Sequence, residues 1–192
     1  PGVVITEKYL AQPNKLGDII YFDLDASISF KEMSPLGKTI FDDGLLGALS
    51  LTRDNELVAA FASGTIRKWS PNLFSGSTDQ IIWETDLATT FQTTPVIAEN
   101  GLILVGGSDS TFYGINGDNG QVQWTYRASD SITSTASINE YGIIYFGDAS
   151  GGVYAIDDTG DLIWDYQIEA DDDTSSLSVM NTINYVNGSV FV

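Results

Sequence analysis

Apolar and polar positions along this chain alternate on a short period, in runs too brief for helices. Between residues 93 and 127 four runs follow one another: "TTPVIAE" (93–99), "LILVGGS" (102–108), "TFYGIN" (111–116) and "QVQWTYR" (121–127). Gly, Asn, Asp and Ser join them, residues that tolerate tight turns and positive φ. The runs are rich in Val, Ile, Tyr, Phe and Trp, which fit a pleated sheet. The series then returns as "TSTASIN", "IIYFGDA", "GVYAID" and "LIWDYQI". No stretch sustains a 3.6-residue apolar period, so very little helix is expected.

The pattern repeats along most of the chain. An aromatic closing a short apolar strand recurs as Phe41 in "GKTIF", Trp83 in "DQIIW", Trp124 in "GQVQW" and Trp164 in "GDLIW", at steps of 42, 41 and 40 residues. Upstream of each lies an apolar strand, at 18–23, 56–62, 101–107 and 142–148, and a fifth such run, "GSVFV", occupies 188–192. Four short antiparallel strands on a period of about 40 residues predict an all-β fold, a β-propeller of four-stranded blades. A lone blade cannot bury both faces, and stacking blades radially solves this. Runs such as "LILV" are apolar at consecutive positions, as strands buried on both faces require. A β-sandwich would share the turns but not a tryptophan recurring at this interval.

The expected blades are 9–43, 45–87, 92–128 and 132–168, with a partial blade at 174–192, all within a single propeller domain or segment, 1–192. The opening "GVVIT" is placed as the fourth strand of a preceding blade. Two arrangements follow: a segment of a larger ring, or a five-membered ring closed by the N-terminal strand. Closure would leave the last blade one strand short, which favours the segment. The chain begins at Pro1 with neither an initiator Met nor a signal-peptide core, and is read as a processed form or a piece of something longer.

"GINGDNGQVQW" (114–124) resembles the tryptophan-docking motif of the pyrroloquinoline-quinone (PQQ) type propellers: Ala or Gly, x, Asp, three residues, Gly, three residues, Trp. Asn116 stands where that pattern has Asp, and Gly120 and Trp124 fit. "AIDDTGDLIW" (155–164) matches through Ala155, Asp157, Gly160 and Trp164 with a turn one residue shorter. In the first two units the motif is degenerate: "KEMSPLGKTIF" lacks both Ala and Asp, and "KWSPNLFSGSTDQIIW" carries an insertion. The turn Gly supplies a conformation closed to other residues, and the Asp or Asn bonds its own turn. Trp124 and Trp164 are expected to lie between blades. The resemblance implies a ring of six to eight blades.

Composition narrows the chemistry. Twenty-six acids face eight bases, a formal charge of −18, and no Lys or Arg follows Arg127. Such a surface repels phosphate backbones, so nucleic acid is not an expected partner. The absence of Cys and His removes thiol nucleophiles, disulfides, Cys/His zinc sites and a Ser-His-Asp triad. No apolar run reaches the roughly 20 residues of a membrane helix.

Four acids crowd "EADDDTSS" (169–176), making Asp171, Asp172 and Asp173 weak calcium candidates. They are consecutive and no acid follows them, which suits a solvated loop better than a cation loop. "NGDNG" (116–120) and "DDTGD" (157–161) place oxygens at alternate positions but read as hairpin turns. "GGSDS" (106–110) and "GDASGG" (147–152) lack the Lys and following helix of a phosphate loop. "NGS" (187–189) fits a glycosylation acceptor as well as a turn. Trp69, off the repeat position, is either a third-strand core residue or an exposed anchor for a partner.

Two functions follow from the resemblance. One is a non-catalytic scaffold outside the cytoplasm, binding protein partners and needing no cofactor; similar propellers include a lipoprotein of the outer-membrane protein assembly machinery. A structural module of a large surface protein is a variant of that reading. The alternative is a PQQ- and calcium-dependent dehydrogenase of alcohols or sugars. No cofactor-binding residue of such enzymes can be matched here, and several of them use adjacent cysteines that this chain lacks.

Overall fold

The structure is a computed structural model that describes residues 2–14, 16–24, 35–41, 43–71, 79–169, 179, 182–186 and 189–191. The described residues contain strands and turns but no helix. Four antiparallel four-stranded sheets follow in chain order. The first holds β1 (Val4–Ile5), β2 (Tyr9–Pro13), β3 (Ile19–Asp23) and β4 (Pro35–Thr39); the second β5 (Ser50–Leu51), β6 (Leu57–Ala60), β7 (Thr65–Ser70) and β8 (Gln80–Asp86). The third holds β9 (Val96–Ile97), β10 (Leu102–Gly106), β11 (Thr111–Asn116) and β12 (Val122–Arg127); the fourth β13 (Ser137–Ile138), β14 (Ile144–Gly147), β15 (Gly152–Ile156) and β16 (Leu162–Gln167). A hairpin of β17 (Asn184–Val186) and β18 (Ser189–Phe191) follows.

The two faces of the second, third and fourth sheets feed different cores, which explains the consecutive apolar residues. In β6, Leu57 and Ala59 join a layer with Ala11, Ile19 and Tyr21 of the first sheet. Their neighbours Val58 and Ala60 point the other way, into a layer with Ile103 and Val105 of the third. Leu104 and Phe112 then meet Ile144, Phe146 and Ile156 across the next seam, while Tyr145, Val153 and Ala155 meet Val179 and Ile183 beyond it. Alternation at period two therefore sends successive side chains to successive seams. In the third seam the rings of Phe112 and Phe146 stack at 4.1 Å and 5°. The fold is a β-propeller, with sheets as blades and hydrophobic layers between them.

Two expectations about the first blade are corrected. "GVVIT" does not close a preceding blade: Val4 and Ile5 pair with Ala11 and Leu10, as the first strand of the first sheet. "DIIYFD" (18–23), grouped by spacing with "GLILVGG" (101–107), is the third strand of its sheet, whereas "GLILVGG" holds the second of its own. A two-residue strand is too short to show an alternation, so β1 was not recognisable as an opening strand.

Candidate functional site

The seams between blades are where polar chemistry and repeat meet. In each four-stranded sheet a β-bulge interrupts the pairing of third and fourth strands at the same place: between Tyr21 and Phe22, Lys68 and Trp69, Gly114 and Ile115, and Ala155 and Ile156. A bulge turns the strand locally and re-aims the side chains beside it. The residues opposite Tyr21, Lys68, Gly114 and Ala155 are Gly37, Trp83, Trp124 and Trp164. This register aligns the four blades residue by residue.

In the second and third seams the tryptophan seats on the turn of the following blade. The Trp83 Nε1–H donates to the Gly117 carbonyl at 2.9 Å, and Trp124 Nε1–H to the Asp158 carbonyl at 2.9 Å. Beneath the rings lie Gly120 (φ 75°) and Gly160 (φ 87°). A Cβ on Gly120 would come within 2.7 Å of Trp83, and one on Gly160 within 2.7 Å of Trp124. Glycine is thus required twice over at each turn, for its φ and for the ring that covers it. Thr85, two residues after Trp83, adds a bond from its hydroxyl to the Gly120 carbonyl at 2.6 Å.

The first seam is built differently, and it corrects the placement of Phe41. The tryptophan position there is Gly37, and Phe41 lies four residues further on, beyond β4. Phe41 packs edge-on against Phe61 and Trp69, both at 5.2 Å, with the Arg67 guanidinium 5.1 Å above its ring. Arg67 in turn pairs with Asp43 at 2.6 Å and with Glu84. Counting residues between aromatics missed this because Phe41 keeps the spacing without keeping the register. The missing indole is replaced by a polar clasp. Tyr21 donates its hydroxyl to Asp79 Oδ2 at 2.8 Å, Thr39 also bonds Asp79, and Trp69 Nε1–H donates to Tyr21 Oη at 3.0 Å. Asp79 precedes Trp83 by four residues, as Gly120 precedes Trp124 and Gly160 precedes Trp164. Trp69 is fully buried on β7 as a core residue.

Trp164 has no such turn over it among the described residues. It is 36% exposed, tilted against Tyr145 at 6.0 Å, and borders an open cavity with Tyr166, Ile168 and Val190.

Asn116, Asp148 and Asp157 hold their own turns. Asn116 Oδ1 accepts the N–H groups of Asp118 (2.9 Å) and Asn119 (3.1 Å). Asp157 Oδ1 accepts from Thr159 N (2.9 Å), Thr159 Oγ1 (2.7 Å) and Asp161 N (2.9 Å). These bonds hold the Asp157 carboxyl below the usual carboxylate range, the Thr159 hydroxyl contributing most. Asp148, wholly buried, was missed in the sequence. Its Oδ1 accepts Gly152 N (2.8 Å), Ser150 N (2.9 Å) and Ser150 Oγ (2.9 Å); its Oδ2 accepts Tyr154 Oη (2.8 Å) and Asp130 N (3.1 Å). Burial alone would raise this carboxyl, but the bonds from Tyr154, Gly152 and Ser150 outweigh it and hold the group low. In the third blade Asp109 is bonded similarly, by Tyr113 at 2.6 Å; burial and that carboxylate push the Tyr113 hydroxyl up to about 12.

Asp171, Asp172 and Asp173 lie outside the described residues, as do Asn187 and Gly188 of the "NGS" triplet. Among the described residues no three His, Cys, Asp or Glu side chains gather to hold a metal. No described helix is long and apolar enough to cross a membrane.

Two cavities open in the seams, on the face carrying the hairpins between first and second strands. One, about 250 Å³, lies between the second and third blades, bounded by Arg53, Asp54, Lys68, Glu99 and Asp118. The other, about 380 Å³, lies between the third and fourth, bounded by Glu99, Asn100, Leu102, Ile138, Glu140 and Asp158.

A propeller whose blades lock through indole-to-turn docking is the class that these seams define. Residues 46–192 match the family described as outer membrane protein assembly factor BamB, and the chain belongs to that family. No curated protein matches the chain. Among solved structures it is similar to BamB from Moraxella catarrhalis, with a TM-score of 0.74 and 15% identity over 98% of this chain and 53% of that one. It is similar also to the computationally designed Ika8 protein, with a TM-score of 0.72 and 17% identity over 98% of this chain and 53% of that one. The chain thus spans about half the length of the structures it matches.

Two predictions follow from the docking geometry. Trp124→Ala should lower stability by about 2–4 kcal/mol and Trp164→Ala by about 1 kcal/mol, since among the described residues a turn covers only the first ring. Urea midpoints of the two variants would separate them, and equal losses would contradict the assignment. Asp148→Asn should destabilise by about 2–4 kcal/mol at neutral pH. Because the folded carboxyl is held low, its contribution is complete above the ordinary range near ~4 and is lost as pH falls through the folded value. The gap between wild type and variant should therefore narrow at acid pH; a gap independent of pH would refute the role.

Proposed function

We propose that this chain is part of a larger propeller ring that serves as a non-catalytic scaffold for protein partners outside the cytoplasm. The observation that carries the reading is the match over residues 46–192 to a family of assembly factors. The geometry supports it. Both faces of the second, third and fourth sheets are committed to seams, and the turn carboxylates Asp109, Asp148 and Asp157 are bonded within their own blades. What remains for recognition is the hairpin loops and the seam cavities, positioned by a rigid frame. The 53% coverage of the similar structures supports further blades. In this reading no cofactor is needed, and the acidic surface favours basic protein surfaces over nucleic acid.

The test has two arms. A photo-crosslinking residue at Tyr141, 74% exposed in the loop between β13 and β14, should give discrete protein adducts in the native host. The full chain incubated with PQQ and calcium should retain no quinone absorbance after desalting. Stoichiometric quinone uptake with dye-linked alcohol oxidation would overturn the reading in favour of a quinoprotein dehydrogenase.

A further inference from the structure

The two seam cavities are equivalent positions in the repeat, yet one has a lysine of the chain in its wall and the other does not. In the seam between the second and third blades, Lys68 at the bulge sends its ammonium to the Gly117 carbonyl at 2.9 Å and to Glu56 at 2.6 Å. Gly117 is the turn carbonyl that also receives Trp83. One seam further on, the bulge residue is Gly114, so no cation is supplied. The corresponding carbonyl, Asp158 O, receives Trp124 alone among the bonds seen. The position of Glu56, one residue before the strand that pairs with the third, is taken by Leu102, which turns that part of the wall apolar. The cavity is correspondingly larger, about 380 Å³ against about 250 Å³. Its wall is apolar at Leu102, Ile138 and Ile144, and its rim carries Glu99, Glu140 and Asp158 without any Lys or Arg.

We infer that the cavity between the third and fourth blades binds a lysine side chain of a partner protein, in the place that Lys68 fills one seam earlier. A lysine presents a four-carbon stem and a compact ammonium with three donors. The stem suits the Leu102–Ile138–Ile144 wall, where it covers apolar surface while the head stays among polar groups. The ammonium suits the second lone pair of the Asp158 carbonyl and the rim carboxylates. The second seam shows that this fold accommodates an ammonium on that carbonyl. Arginine, with a wider planar fork, matches a single carbonyl less well. The inference rests on the scaffold reading only in naming a protein as the source of the lysine.

The test is a titration of the isotopically labelled full chain with acetyl-Gly-Lys-Gly-amide, followed by amide NMR shifts. Saturable shifts are expected at residues 97–102, 138–144 and 158, with none from acetyl-Gly-norleucine-Gly-amide, which keeps the stem and lacks the charge. The double variant Glu99→Gln/Glu140→Gln should weaken binding about fivefold, as loss of exposed ion pairs does. Glu7→Gln/Glu169→Gln, which removes the same charge away from the cavity, should leave binding unchanged. Shifts spread evenly over the acidic surface, equal weakening by both double variants, or no shift at all would each overturn the lysine assignment. None of those outcomes touches the scaffold reading, which stands or falls on the crosslinking and quinone measurements.

Discussion

An indole N–H seated on the backbone carbonyl of a neighbouring turn is the contact on which the arrangement of this molecule depends. The second, third and fourth sheets are four strands wide and apolar on both faces, so none of these blades can exist in water without a neighbour on each side. Hydrophobic layers supply most of the driving force, but they are non-directional and would tolerate sliding of one blade over the next. The Trp83 and Trp124 docks fix that freedom, because each ring must meet one glycine and one carbonyl at the same time. The bulge beside each tryptophan aims the ring, and the left-handed turn glycine provides the flat seat.

The same position is solved three ways in one chain. Lys68 and Trp83 together hold Gly117; Trp124 over Gly114 holds Asp158; Tyr21 and Thr39 hold Asp79, with Trp69 donating to Tyr21, in a seam whose docking position is Gly37. The constraint is therefore a donor reaching the next blade's turn, and tryptophan is one way of meeting it. Variation at this position leaves the seams with different cavities and different charge, so seams alike in backbone differ in what they can bind.

Much of the frame was legible in the sequence because it repeats. Turn glycines, apolar pairs of faces and the 40-residue return of tryptophan are local features that survive translation into structure. The polar network was not legible for the opposite reason. Tyr21 and Asp79 are far apart in sequence and neither belongs to a motif, and Phe41 imitated the spacing of the tryptophans while occupying another register. A signal was present all the same: Asp79 stands four residues before Trp83, where the next two blades carry glycine. Asp148 escaped notice because "GDASGG" reads as a small-residue turn, and nothing in those letters tells that its carboxylate is buried beneath Tyr154. The acids of the opening motif-bearing turns, by contrast, were recognisable as turn chemistry from their position ahead of Gly120 and Gly160.

The claim that blades are locked turn by turn is tested most directly by a double-mutant cycle on the third seam. Trp124→Phe keeps an aromatic ring but removes the N–H, Gly160→Ala disturbs the seat beneath it, and Gly120→Ala disturbs the turn of its own blade, which seats Trp83 instead. Unfolding free energies should show a coupling of about 1 kcal/mol or more between Trp124 and Gly160, and additivity within about 0.5 kcal/mol between Trp124 and Gly120. Additivity at Gly160, or equal coupling to both glycines, would contradict the account.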